Sequence, residues 1–174
     1  MLYAGDIAWV ETENPLFSDV FIGVLFGLVE KKRGKIKFFR SRTSYFDIAN
    51  WTPYVQDAVS LCSLYSYSKG AKISTSINEL KKILNEVNAS YVLNMNLREM
   101  TKPTKTLLSW AITLSVPDLN IVLNDPYYGA DEKTSSVLSS RLDDQAKDGS
   151  LILIVSTDKP RMFSEHLKFL RGYK

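Results

Sequence analysis

The sequence predicts an α/β fold, a mostly parallel sheet flanked by helices, and three observations carry that prediction. The second half of the chain alternates helix-like and strand-like segments, the order that builds parallel sheets. Its two strand-like segments, LNIVL at 119–123 and SLILIVS at 150–156, are mostly apolar runs rather than alternating ones. Strands buried on both faces read that way. The chain has 174 residues, 45% hydrophobic and 24% charged, the balance of one globular domain.

The same numbers exclude a disordered tail, a collagen-like repeat and a multi-span membrane protein. One cysteine, Cys62, excludes an internal disulfide, and one histidine, His166, excludes a multi-His metal site. The 22 Lys and Arg exceed the 19 Asp and Glu by three, interspersed along the chain. That pattern argues for no nucleic-acid partner.

Taken in chain order, GDIAWV at 5–10 reads as a turn and a short buried strand. The polar stretch from Glu11 to Pro15 reads as a loop. Ser18 or Asp19 then caps an apolar helix, with VFIGVLFGLV at 20–29 as its body. Ten apolar residues are half of what a spanning helix needs. The basic cluster Lys31–Arg33 follows the run, whereas a secretory signal places it before. Gly23 and Gly27 share a helix face and predict close packing against a sheet, with Gly34 ending the helix region. KIKFF at 35–39 alternates like a strand, and Tyr45–Ile48 reads as another short one.

Three helices follow. The first runs over 54–67 with Val55, Ala58, Val59 and Cys62 at helical spacing. The second, capped at Ser74 or Ser76, carries Ile77, Leu80, Ile83, Leu84 and Val87. The third starts near Thr101–Thr104, where Pro103 suits the first turn, and stops at Pro117. After the strand LNIVL comes a helix over 134–146, closed by Asp148-Gly149, then SLILIVS, then a last helix and strand over 162–170.

Ligands of such folds bind beyond the carboxyl ends of the strands. Those ends here are Asn124-Asp125-Pro126 and Thr157-Asp158. A carboxylate there would hold a metal or orient a water, or Asp125 simply begins a turn; spacing alone favours the turn. The loop between the first strand and helix is placed where a phosphate cradle would be. It has no glycine and no lysine, and Pro15 has no amide to donate, so its chemistry is wrong for a triphosphate.

Several motifs nevertheless keep a known order. PDLNIVLNDPYYGAD at 117–131 has the spacing of a Pro-Asp-Leu, an apolar strand, Asp-Glu-Pro and a turn ending Gly-x-Asp. Then come a helix, the Asp148-Gly149 turn, an apolar strand, Ser156-Thr157-Asp158 in place of Ser-His-Asp, and Leu170-Arg171-Gly172. VLFGLVEKKRGKIKFF at 24–39 fits the end of a first helix and the next strand. Together these segments resemble the ATP-binding cassette (ABC) domain, the motor subunit of ABC transporters. The resemblance extends over nearly the whole chain and rests on order and spacing more than on identity.

The resemblance implies a P-loop NTPase-like single domain over 1–174, with a helical subdomain over about 51–115. It also implies that the family's opening strand pair, with its adenine-stacking aromatic, is missing. Its functional positions depart from the family pattern. The Walker A lysine falls on Ser18, followed by Asp19. The Q-loop glutamine has no counterpart near Asp47-Ile48, and the signature motif falls on Glu99–Pro103 with nothing retained. The Walker B aspartate becomes Asn124, the catalytic glutamate Asp125 and the switch histidine Thr157. Pro126, Gly129 and Asp131, which shape the D-loop and the contact between cassettes, survive.

These departures predict a degenerate cassette with no resident cofactor and no ATP hydrolysis of its own; ATP and Mg²⁺ enter only if the chain is active. Its expected partners are a membrane permease, a second cassette, or both, and its expected place is the cytoplasmic face of the membrane, peripherally bound. Trp51 and Tyr54 are candidate anchors for that docking, and Gly129 and Asp131 for the cassette contact. Local core packing is the better reading of any single one of those aromatics. Two alternatives stay open: an active ATPase completed by a partner cassette, and a non-transport scaffold subunit with an ABC-derived fold.

Overall fold

A computed structural model describes residues 2–12, 14–30, 43–48, 55–116, 118, 120–157 and 167–171. The chain forms two compact units. The first comprises Met1–Thr43, Asp118–Asp125 and Leu142–Lys174; the second comprises Ser44–Pro117 and Pro126–Arg141.

The first unit is built on strands β1 (Ile7–Glu11), β3 (Asn120–Asn124), β4 (Leu151–Ser156) and β5 (Leu167–Arg171). With the two-residue β2 (Thr43–Ser44) they make a five-stranded sheet ordered β2-β3-β4-β1-β5. The pairs β1–β4, β1–β5 and β3–β4 are all parallel, with Trp9 opposite Ile154 and Leu123 opposite Ile154 on the other side. Parallel pairing requires cover on both faces. Accordingly Ile7, Ala8, Trp9, Ile152, Ile154 and Val155 are fully buried.

Helix α1 (Pro15–Phe26) starts earlier than its apolar run suggests. Its cap is Asn14, whose side chain accepts the Phe17 N–H at 3.2 Å, and not Ser18 or Asp19. Asn14 wins because Pro15 follows it, and proline is preset for the first helical position. The helix also stops early. Gly27 sits at φ +72°, and the Leu28 N–H reaches back to the Gly23 carbonyl at 2.8 Å. This is a left-handed glycine stop, so Gly34 does not end the helix. Gly23 is indeed closely packed, but by the returning chain. A Cβ there would lie 2.8 Å from a Val29 methyl.

The second unit is helical. It holds α2 (Ala58–Ser68), α3 (Ile73–Glu86), a 3₁₀ segment (Ser90–Asn94), α4 (Lys102–Ser115) and the first part of α5 (Glu132–Lys147). Leu61 and Cys62 of α2, Leu80, Ile83 and Leu84 of α3, and Leu108, Ala111 and Ile112 of α4 are fully buried. These are largely the apolar positions at helical spacing in the sequence. Burial pushes the Cys62 thiol up, against the opposing bonds with Ser115 and Ser66.

Helix boundaries differ from the sequence expectation where capping decides them. Asp57 caps α2 by accepting the Ser60 N–H at 2.8 Å, so the helix begins at Ala58 rather than Tyr54. Thr101 caps α4. α3 begins at Ile73 with no side-chain cap, and neither Ser74 nor Ser76 serves as one. Tyr45–Ile48 is not a strand. Phe46 and Ile48 are buried instead, and the Phe46 ring meets the Tyr65 ring edge-on at 4.9 Å. The strand expected at 35–39 and the helix expected from 162 fall outside the described residues, whereas β5 at 167–171 answers the expected final strand.

One ionic cluster ties α5 to α3. Arg141 donates to both carboxylate oxygens of Glu86 at 2.8–3.0 Å and bonds Glu79 as well. Partial burial alone would lower the Arg141 pKa, but the hydrogen bonds it donates to Glu79 and Glu86 outweigh it and hold the guanidinium above its ordinary value.

Candidate functional site

Three parallel strands of the first unit end together, and the polar residues beyond them meet. Thr12 follows β1, Asn124 and Asp125 close β3, and Thr157 follows β4. The backbone locks these ends to one another. The Thr12 N–H donates to the Ser156 carbonyl at 2.9 Å, and the Asp125 N–H to the Val155 carbonyl at 2.8 Å. Helix α1 contributes Ser18 and Asp19 to the same place.

The side chains there bond mainly to one another. Ser18, fully buried, shares a 2.6 Å hydrogen bond with Thr12. The Asn124 amide donates to Asp19 at 2.9 Å. Asp125 accepts the Thr157 N–H at 2.8 Å, with the Thr157 hydroxyl at 3.5 Å from the same oxygen. Asp125 holds this position at φ +43°, in the left-handed region that non-glycine residues seldom occupy. The one unsatisfied group is the Asn124 carbonyl oxygen, which is buried and has no partner among the described residues. No cluster of three His, Cys, Asp or Glu placed to hold a metal ion occurs among the described residues.

The turn after β3, Pro126–Ala130, belongs to the second unit. Gly129 has φ +68°, and a Cβ there would stand 2.6 Å from the Pro103 Cβ at the start of α4. Only glycine meets both demands. Asp131 caps α5 by accepting the Thr134 N–H at 2.7 Å. Its carboxyl lies below the usual carboxylate range because the Thr134 hydroxyl, and then the Thr134 N–H, stabilise the anion.

The structure therefore brings Ser18, Asp19, Asn124, Asp125 and Thr157 together in one unit, and places Gly129 and Asp131 in the other. Trp51 and Tyr54 lie outside the described residues. Sequence reading passed over Thr12, which nothing near it marks as the partner of Ser18. It also passed over Arg141, whose spacing to Glu79 and Glu86 is invisible along the chain.

No protein-family model and no curated protein sequence matches this chain. Solved structures do. A protein from Pyrococcus furiosus described as an ABC transporter ATP-binding protein superposes with TM-score 0.74 at 16% identity, over 97% of this chain and 86% of its own. An ATP-binding subunit of an ABC transporter superposes with TM-score 0.73 at 17% identity, over 90% of this chain and 70% of its own. The chain has the fold of an ABC transporter cassette. A dimeric bacterial ABC transporter cassette is also similar, with TM-score 0.72, 13% identity and coverage of 91% and 77%. At such identities the likeness is one of fold. Among the described residues, no helix of this cassette fold is long and apolar enough to cross a membrane.

Proposed function

We propose that this chain is a cassette-fold subunit that has given up ATP hydrolysis and acts by docking. Its partner is a membrane permease, met on the cytoplasmic face, or a second cassette. One observation carries this reading: where a nucleotide's phosphates and metal would sit, the side chains bond to one another. Asp19 holds the Asn124 amide, Ser18 holds Thr12, and Asp125 holds Thr157.

The donor set supports the same reading. A triphosphate needs a lysine and inward-facing amides, and its Mg²⁺ needs a carboxylate across from a hydroxyl. Here the lysine position is a buried serine. The hydroxyl position is Asp19, already engaged by the neutral Asn124. Asp125, offered as a base, has an oxygen committed to Thr157. These residues do not fit a magnesium nucleotide, so no catalytic step is assigned to them.

Docking draws on the D-loop, where Gly129 and Asp131 keep the backbone shape, and on Trp51 and Tyr54. Titration of the purified full chain with ATP and Mg²⁺ by calorimetry tests the first claim. No binding at micromolar nucleotide is expected, and micromolar, Mg²⁺-dependent binding overturns it. Affinity purification tests the docking claim: a polytopic membrane protein or an intact cassette is expected to co-purify. Recovery of a soluble assembly containing neither points to a scaffold role instead.

A further inference from the structure

Helix α1 is apolar on both sides. Between Pro15 and Phe26 only Ser18 and Asp19 are polar. Ser18 is buried against Thr12, and Asp19 accepts the Asn124 amide. At about 100° of turn per residue, the buried Ser18, Ile22 and Leu25 fall on one side of the helix. Leu16, Phe17 and Val20 fall on the other, with the half-buried Val24 among them. We propose that this second face docks on an anionic lipid bilayer, lying in its interface without crossing it. Direct lipid contact goes beyond docking on a permease or a cassette and does not rest on it.

The face is more than a scatter of single residues. A surface helix ordinarily turns a polar stripe to water. α1 instead exposes Leu16 by 69% and Phe17 by 54%, and Leu28, just past its end, by 82%. Val29 adds to the same face. A Cβ on Gly23 would meet a Val29 methyl, so the returning chain lies along the edge of the strip, and Val29 is itself exposed. Isolated exposed apolar residues are ordinary, whereas a contiguous set marks an interaction surface.

Charge selects the partner. Residues 31–42 hold seven of the chain's 22 Lys and Arg and none of its 19 Asp and Glu. Over the rest of the chain acidic residues outnumber basic ones, so the formal excess of three comes from this run. The run lies outside the described residues and is no part of the contact face; its charge and its attachment are fixed by the sequence. Lys31 follows Val29 by two residues, at most about 7 Å of backbone. The field of an anionic bilayer reaches roughly 8 Å in physiological salt. Inserted apolar side chains beside a basic cluster are the two signals that together hold a protein to such a surface.

The same two features disfavour other occupants. A nucleic acid would use the charge but leave Leu16, Phe17 and Leu28 in water. A second copy of the chain would cover the apolar strip but bring two basic runs together, like against like. A bilayer with anionic headgroups satisfies both at once.

Flotation of the purified full chain with lipid vesicles tests this, with no permease present, so its failure leaves the docking reading untouched. Vesicles of phosphatidylcholine with about one-third phosphatidylglycerol are expected to bind the chain about tenfold or more above phosphatidylcholine alone. That preference should vanish in about 1 M salt, where the field reaches only about 3 Å. The double change Leu16→Ser with Phe17→Ser, at exposed positions, is expected to weaken binding about tenfold with the circular dichroism unchanged. Tyr67→Ser, exposed in the other unit, is expected to bind as wild type. Phe17→Trp gives a reading that needs no loss of binding: its added emission should shift blue on the anionic vesicles. No flotation with anionic vesicles overturns the proposal, and so does flotation unchanged in the double variant or a Phe17→Trp emission that stays put. A chain that binds single-stranded RNA but not vesicles overturns it in favour of a nucleic acid. A dimer that the double change turns into a monomer overturns it in favour of a second copy.

Discussion

The two units settle their polar side chains in different ways. In the first, the polar groups at the strand ends consume one another: Thr12 with Ser18, Asp19 with Asn124, Asp125 with Thr157. In the second, the turn around Gly129 packs on Pro103, and the charged Arg141 is held between Glu79 and Glu86. Short side chains that bond one another have little left for a ligand. A guanidinium shared by two carboxylates is committed more firmly still. The difference teaches that one chain closes one polar cluster with short side chains across strand ends and another with a single long arginine between helices.

The sharpest way to break the comparison is Gly129→Ala. The new methyl meets Pro103 at 2.6 Å, and alanine must adopt a φ of +68°. The expected loss is about 3 kcal/mol, combining left-handed strain with overpacking. Chemical denaturation of the variant checks it. A loss under about 1 kcal/mol means the turn relaxes around the added methyl.

Asn124→Asp sharpens the other side. It sets a second carboxylate against Asp19, where the amide now donates at 2.9 Å. One carboxyl of such a pair has its pKa raised, so the folded state takes up a proton that the unfolded chain lacks. Stability at pH 7 should fall by about 1.5 kcal/mol, the worth of roughly one pKa unit, and recover as pH drops below about 5. Thermal melts across pH read this out. Unchanged stability at neutral pH would mean that the amide–carboxylate bond contributes nothing to closing the cluster.

The smallest effect tests the helical frame itself. Asp57→Ala removes the α2 cap and should cost about 1 kcal/mol at pH 7. The Ser60 N–H holds the Asp57 carboxyl below its ordinary value, opposed by slight burial and aided by the Ser60 hydroxyl. A depressed folded pKa gives stability that is complete above the unfolded carboxylate range and lost as pH falls through the folded value. The gap between wild type and variant should therefore close in acid. A gap constant down to pH 2 would assign it to helix propensity rather than to the cap.

Much of the fold was legible along the chain. The runs around Ile121–Leu123 and Leu151–Val155 became β3 and β4, because nearly continuous apolar runs have no solvent face to offer. Leu80, Ile83 and Leu84 became core because their spacing puts them on one side of a helix. Helix ends were less legible. The early cap at Asn14 and the early stop at Gly27 depend on which of several competent residues captures a free backbone group.

The sequence by itself determined the order of the main elements and the parallel sheet. Those depend on residue type and local periodicity, which are written along the chain. Only the tertiary structure decided which polar side chains meet. Asp19 and Asn124 are 105 residues apart in sequence and 2.9 Å apart in space, and Arg141 reaches Glu86 across 55 residues. Pairings of that range follow from how strands and helices pack, and no local pattern encodes them.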